Sequence, residues 1–200
     1  MYRPGEAARA LSLALLLVTT ASHPLAGQTS LRLGGGATML TGQSEWDAGT
    51  GWLVIADVLA TVGSPHLQVG FEGFYGASSG GPWIANQSTT GTELVHYGAS
   101  WVARVRTARP HRVSPYLQAG VGLTWGRLTP DYAPDTPDGD TSTTWSDMFL
   151  GFHAAAGLDV PLGRVALWAE GRYVGVERDE ITSPRYFAVL AGLRVPLGRR

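Results

Sequence analysis

Apolar and polar side chains alternate along the segment from Pro115 to Arg127. The apolar positions of this segment are Leu117, Ala119, Val121, Leu123 and Trp125, and the small or polar ones are Gln118, Gly120, Gly122, Thr124 and Gly126. Successive side chains of a β-strand point to opposite faces, so the pattern predicts a strand with one oily face. The alternation lasts for about ten residues, which is the length that a tilted strand needs to cross a lipid bilayer.

Seven other segments show a related pattern, although Gly51–Val62 is apolar at almost every position and only Asp57 sets its inward phase. These seven predicted strands are Leu31–Leu40, Gly51–Val62, Leu67–Tyr75, Leu94–Arg106, Asp147–Val160, Val165–Val176 and Arg185–Leu197. The connections between the strands alternate between long and short, which is typical of an up-and-down meander. We therefore predict an all-β fold, an eight-stranded antiparallel transmembrane β-barrel, because closure leaves no strand edge unpaired in lipid.

The N-terminal segment has the three parts of a secretory signal peptide. Arg3 and Arg9 give a basic start, Ala10–Thr20 is a short apolar run, and Pro24 precedes small residues ending at Gly27. The apolar run is too short to span a membrane as a helix. We predict a cleaved signal peptide at residues 1–27 and one barrel domain at residues 28–200.

Composition excludes some kinds of site. The chain has no cysteine, so it forms no disulfide and no thiolate metal site. Its net charge of -1 argues against a nucleic-acid surface. No cofactor is expected.

Two phrases, Tyr116–Gly122 (Tyr-Leu-Gln-Ala-Gly-Val-Gly) and Ala191–Val195 (Ala-Gly-Leu-Arg-Val), resemble strands of the small outer-membrane barrels. The resemblance is to the OmpA transmembrane domain and the OmpX-like proteins, and it covers about Leu31 to Leu197. It implies a location in the cell outer membrane, with contacts to outer-membrane lipid and lipopolysaccharide, both mature termini in the periplasm and the long loops outside. The chain departs from the family pattern at Leu197-Gly198-Arg199-Arg200, where family members have an aromatic residue, and we expect no peptidoglycan-binding domain of the OmpA type.

Charged and imidazole side chains fall on the inward phase of the predicted strands. They are Arg32, Asp57, Glu72, His96, Arg104, His153, Glu170, Arg172 and Arg194. An eight-stranded barrel leaves room for little more than side chains, and isolated buried charges are costly, so we expect ion pairs that fill the lumen. The alternatives are a gated proton or ion path through these charges and a metal or proton role for the histidines.

Two other functional classes are open, a soluble ligand-binding barrel and a lipid-modifying enzyme. A soluble, exported lipocalin-like barrel would bind an apolar ligand with its oily face turned inward. Two observations argue against it. Glycines crowd the small phase, and aromatic residues lie towards strand ends as in a membrane girdle, such as Trp52, Trp125, Tyr173 and Phe187. Trp101 and Trp168 fit that girdle less well. A lipid A deacylase needs a serine beside a histidine, and the motif of histidine followed two residues later by serine is absent.

The long loops are the remaining place for a site. Asp131–Asp140 holds several carboxylates that a divalent cation would favour, but prolines interrupt it and it lacks the EF-hand spacing. Trp83, Tyr132 and Trp145 are assigned to loops, where an extracellular ligand would bind. We predict a monomeric protein with a structural or surface-interaction role, no catalytic residues and no metal site.

Overall fold

The computed structural model describes residues 29–41, 49–80, 89–107, 112–132, 145–177 and 185–197. The predicted signal peptide at residues 1–27 lies outside these ranges, so that boundary stays a prediction. Within the described part of the chain, no helix is long and apolar enough to cross a membrane.

Eight antiparallel strands form a closed barrel in which each strand pairs with the next and β1 pairs with β8. The strands are β1 (Thr29–Leu40), β2 (Thr50–Thr61), β3 (Leu67–Gly80), β4 (Thr89–Arg106), β5 (Ser114–Tyr132), β6 (Trp145–Leu162), β7 (Val165–Glu177) and β8 (Arg185–Pro196). The prediction of an eight-stranded antiparallel barrel is confirmed. We call the end with connections 62–66, 107–113 and 163–164 the short-turn end, and the opposite end the long-loop end.

Several strands are longer than the alternating pattern predicted, chiefly at the long-loop end. β4 and β5 remain paired as far as Thr89 and Tyr132. Asp131, Tyr132 and Trp145 therefore lie in strands, and their assignment to loops was wrong. The physical reason is that backbone pairing needs no oily side chain, so a ladder can continue where the apolar alternation has ended. Trp83, Asp135, Asp138 and Asp140 lie outside the described residues.

The register of the strands fixes the stagger of the barrel. If one starts at Ser30 and moves from each residue to its pairing partner on the next strand, one passes once around the barrel and returns to β1 at Leu40. The stagger is therefore ten residues, from position 30 to position 40. A stagger of this size goes with strands tilted by roughly 40° from the barrel axis and an interior just wide enough for side chains. Residues far apart in sequence therefore meet across the lumen.

Exposed apolar side chains cover the outer face of the barrel, although β2 is apolar on both faces and also buries Leu53, Ile55 and Leu59. Leu117, Trp101 and Val189 have 67%, 62% and 72% of their surface exposed, whereas the inward Leu59 is fully buried. Individual exposed apolar residues are ordinary, but a continuous apolar surface around a barrel is what a lipid-facing wall requires. The lipocalin-like alternative is wrong on this point, because it needs the oily phase on the inside.

Aromatic side chains form a belt around the outside. This aromatic belt consists of Trp52, Tyr75, Tyr97, Trp125, Tyr173 and Phe187. Tyr97 pairs directly with Tyr75 and Trp125, and its ring lies 6.4 and 6.0 Å from theirs. Once the stagger is allowed for, the six residues lie at about the same height, towards the long-loop end. Such belts mark the boundary between hydrocarbon and headgroups.

The short-turn end is closed by tight turns. Gly63 and Gly163 have φ values of 67° and 65°, a left-handed conformation that glycine adopts without steric cost. Gly163 and Arg164 form the two-residue connection between β6 and β7. This glycine lets the strands reverse directly, as a tight hairpin requires.

Candidate functional site in the barrel lumen

A continuous set of polar side chains fills the middle of the lumen. We call it the ionic network, and it consists of Arg32, Asp57, Glu72, Arg104, Tyr116, Gln118, His153, Glu170 and Arg172. Strands β1 to β7 each contribute at least one member. Its three arginines face three carboxylates, so their formal charges cancel.

Arg172 is the most fully paired cation of the ionic network. Its Nη1 lies 2.5 Å from Oε1 of Glu72, and its Nη2 lies 2.6 Å from Oε2 of the same carboxylate. Its Nε donates to Oε1 of Glu170 at 2.9 Å. The fork geometry of guanidinium and carboxylate makes a two-bond pair both stronger and more directional than a single contact.

Arg32 connects Glu170, Tyr116 and Asp57 within the ionic network. Its Nη2 donates to Oε2 of Glu170 at 3.0 Å, and its Nη1 donates to the hydroxyl of Tyr116 at 3.2 Å. Its Nε lies 3.1 Å from Oδ2 of Asp57. The guanidinium also lies over the ring of Trp168, 4.1 Å from the centroid. An aromatic face attracts a cation, so this indole adds to the stabilisation of a buried charge.

Arg104 is held mainly by a neutral partner. Its Nε and Nη2 donate to Oε1 of Gln118 at 3.0 and 2.6 Å. Oδ2 of Asp57 lies 3.8 Å from Nη2, and the ring of Tyr116 lies 4.3 Å from the guanidinium. Asp57 therefore lies between Arg104 and Arg32 and attracts both.

Gln118 links this arginine to the acidic part of the network. Its Nε2 lies 3.4 Å from Oε2 of Glu72 and 3.4 Å from Nε2 of His153. Nδ1 of His153 lies 3.9 Å from Oε1 of Glu72. The same carboxylate thus contacts an arginine, an amide and an imidazole.

The network is shielded from solvent. The side chains of Arg32, Asp57, Glu72 and Arg104 have no exposed surface, and 2% of the side chain of Arg172 is exposed. Removing charges from water is costly unless partners replace the lost hydration. The observed pairing supplies most of those partners, although Nη1 of Arg104 and both carboxylate oxygens of Asp57 have no hydrogen-bond partner among the described residues.

His96 lies apart from the ionic network, nearer the long-loop end. Its ring packs 5.2 Å from that of Tyr186 and 6.3 Å from that of Phe74, measured between centroids. The residue is buried, and neither ring nitrogen has a hydrogen-bond partner among the described residues. The sequence grouped His96 with the network, whereas the structure places it in an aromatic layer.

Arg194 also lies apart, at the short-turn end. Its Nη1 donates to Oδ2 of Asp159 at 2.6 Å. Asp159 is buried, while the arginine is partly exposed. The two residues form a separate ion pair between β6 and β8 near the mouth of the barrel.

The structure therefore brings together seven of the nine residues that the sequence singled out. It adds Tyr116, Gln118 and Trp168 to their surroundings, and it gives Arg194 the partner Asp159. The strand phase places Gln118 and Asp159 inward and could have found them. The strand phase also places Trp168 inward, and for that reason it fitted the membrane girdle less well, but the phase did not identify Arg32 as its partner.

The chemistry available in the lumen is limited. Among the described residues, no serine hydroxyl is hydrogen-bonded to His96 or His153, so no base–nucleophile pair of the kind that acyl transfer needs is seen there. Across the described ranges, no group of three or more acidic or histidine side chains is arranged to hold a metal ion. What the arrangement does is hold seven strands together by polar contacts.

Comparison with known proteins supports the architecture. No protein-family model matches the sequence, and no curated protein matches it either. The Neisserial surface protein A, NspA, has a similar structure with a TM-score of 0.56 and 17% identity, covering 84% of this chain and 96% of NspA.

Two further solved structures show weaker likeness. The attachment invasion locus protein Ail of Yersinia pestis, crystallised with the heparin analogue sucrose octasulfate, has a TM-score of 0.49 and 14% identity, covering 84% of this chain and 98% of Ail. The outer-membrane enzyme PagL has a TM-score of 0.43 and 12% identity, covering 84% of this chain and 99% of PagL. The likeness to NspA, together with the closed barrel, shows that this chain has the fold of the small eight-stranded outer-membrane β-barrels.

Proposed function

We propose that this chain is an outer-membrane protein that spans the membrane as a barrel with a closed lumen and has a structural or surface-interaction role without catalysis. The observation that carries the proposal is that the barrel combines an apolar exterior with a lumen that holds the ionic network. A lipid-facing wall needs the first feature, and a stiff plug needs the second.

The proposed orientation places the short-turn end in the periplasm and the long loops outside, as in the family that the sequence resembles. The aromatic belt lies towards the long-loop end and would sit at the outer headgroups. A surface-interaction role therefore belongs to the long loops, because loops on a rigid framework are where binding usually occurs.

Cell fractionation combined with gel mobility tests the membrane location. We expect the protein in the outer-membrane fraction, and we expect the band to shift when the sample is boiled, because a folded barrel resists SDS until it is heated. A periplasmic, detergent-free soluble protein with no heat-dependent shift would contradict the proposal.

Planar-bilayer recording tests the closed lumen. The purified barrel should produce no steady single-channel conductance, because the buried ion pairs leave no open path. A reproducible, ion-selective conductance that disappears in a Glu72→Gln variant would instead favour the ion-path alternative.

Loop replacement tests the surface role. Replacing residues 133–144 by a short glycine–serine linker should leave the heat-dependent shift intact and abolish cell-surface attachment conferred by the protein. The matched control replaces Gly163 and Arg164 at the opposite end by Asn-Gly, another tight-turn sequence. Loss of attachment in that control alone would contradict a role for the long loops.

The lipid-modifying alternative has a direct test. Purified barrel incubated with lipopolysaccharide should leave the acyl-chain number of lipid A unchanged in mass spectra. Release of a fatty acid that depends on His96 or His153 would overturn the non-catalytic role.

A further inference from the structure

The exposed charges at the short-turn end are all basic within the described ranges. Arg112 and Arg164 are exposed, whereas Asp159, the carboxylate nearest this end, is buried and paired with Arg194. The three connections at this end contain Arg109, Arg112 and Arg164 and no acidic residue. This end therefore presents positive charge to its surroundings.

Exposed aliphatic side chains lie directly beside these basic residues. Val113 follows Arg112 and is 50% exposed, and Leu162 precedes the Gly163–Arg164 turn and is 51% exposed. Oily surface next to a guanidinium suits the boundary where hydrocarbon meets headgroups, since arginine can bury its stem and keep its charge in the polar layer.

The two ends of the barrel differ in chemistry. The four connections at the long-loop end carry seven acidic residues and one arginine: Glu45, Asp47, Asp135, Asp138, Asp140, Asp179, Glu180 and Arg178. The aromatic belt also lies towards that end. The short-turn end therefore has arginine and aliphatic residues at its boundary where the other end has aromatic residues.

We propose that the short-turn end binds the headgroups of anionic phospholipids in the leaflet that surrounds it, with Arg112 and Arg164 as the contact residues. The inference rests on the membrane-spanning role proposed above. The phosphodiester of such a lipid matches the planar, two-donor geometry of a guanidinium. The attraction acts within a Debye length of the surface, so it weakens as salt is added.

The test measures lipid selectivity in bilayers. Wild-type barrel is reconstituted into phosphatidylcholine vesicles, and electron paramagnetic resonance gives the protein-bound fraction of spin-labelled phosphatidylglycerol and of spin-labelled phosphatidylcholine. We expect the anionic lipid to be preferred by about twofold or more at low salt, and the preference to approach one in the Arg112→Gln/Arg164→Gln variant.

A matched variant shows whether the location of the charges matters. Arg127 and Arg185 are exposed arginines on the long-loop side, so Arg127→Gln/Arg185→Gln removes the same charge from the other end. We expect this variant to keep the wild-type preference. An unchanged preference in the short-turn variant, or an equal loss in both variants, would overturn the proposal.

Two further controls separate the possible failures. Millimolar inorganic phosphate should leave the preference intact at constant ionic strength, and its loss would indicate a site for free phosphate rather than for lipid. The heat-dependent gel shift is measured on the same vesicles. Absence of the shift would contradict the membrane-spanning function itself, whereas a normal shift without lipid preference would contradict this inference alone.

Discussion

Arg172 and Glu72 form a two-bond ion pair across the lumen, with nitrogen–oxygen distances of 2.5 and 2.6 Å. Their strands, β7 and β3, are not neighbours in the barrel. The pair therefore joins two walls that no backbone hydrogen bond connects. Glu72 also contacts Gln118, and Arg172 also contacts Glu170, so the pair lies within the ionic network rather than apart from it.

Removing one partner of this pair should destabilise the barrel strongly. Glu72→Ala leaves Arg172 buried with one carboxylate, and we expect a loss of about 3–5 kcal/mol in the free energy of unfolding. Urea unfolding in phospholipid vesicles, followed by tryptophan fluorescence, measures the change. Arg127→Gln, which alters an exposed arginine, serves as the control and should have little effect.

Removing both partners should cost less than the sum of the single changes. In Glu72→Leu/Arg172→Met no unpaired charge of this pair remains, so the double variant should lose less stability than Glu72→Leu and Arg172→Met lose together. Additive losses in the double-mutant cycle would show that the two side chains do not act as a pair.

Gly34 should not tolerate a side chain. A Cβ at this position would lie 2.3 Å from Cζ2 of Trp168 and 2.4 Å from the carbonyl oxygen of Ala191, so Gly34→Ala must displace the indole or the backbone. We expect a loss of about 1–3 kcal/mol in unfolding free energy. Gly171→Ala is the matched control, because nothing lies within 4 Å of its Cβ position. Equal stability of both variants would contradict the described packing.

Replacing His96 and replacing His153 by leucine should change the free energy of unfolding in opposite directions. His96 is buried without a hydrogen-bond partner among the described residues, a state that costs about 1–3 kcal/mol, so His96→Leu should raise the free energy of unfolding. His153 contacts Gln118 and Glu72, so His153→Leu should lower it. Destabilisation by both substitutions would show that His96 has a polar partner after all.

A charge on the outer wall should be costly in lipid. Val189 lies near the middle of β8 and is 72% exposed, so Val189→Arg should lower the stability in vesicles by about 2–4 kcal/mol. Val189→Leu keeps the surface apolar and should have little effect. Equal stability of the arginine and leucine variants would argue against lipid at this position.

The strand phase predicted which face each side chain occupies, but it did not predict which side chains meet. Asp57 and Glu72 were assigned inward from their own strands, and the register then shows that they are direct partners on β2 and β3. The contact of Glu72 with Arg172 depends on the stagger of ten residues, which no single strand encodes. Sequence pattern alone therefore identifies the inward charges but not their pairing.

Trp168 shows a second limit of the sequence pattern. Its phase is inward, which the pattern did predict, but the pattern did not predict that the indole lies under Arg32 or donates to the carbonyl oxygen of Leu193. The lengths of β4 and β5 show a third limit of the sequence pattern. Their backbone pairing extends beyond the alternation of apolar and polar residues that identified the two strands.

The most direct test of a lipid-facing exterior is the collision rate of nitroxides with oxygen and with a water-soluble nickel complex. The chain has no native cysteine, so single cysteines at Leu117, Val121, Val189 and Leu193 can be labelled without background. In vesicles, these four labels should collide often with oxygen and rarely with the nickel complex, with the contrast greatest at the bilayer centre. Frequent collision with the nickel complex at all four positions would show that water surrounds the apolar wall, and it would contradict the membrane-spanning barrel.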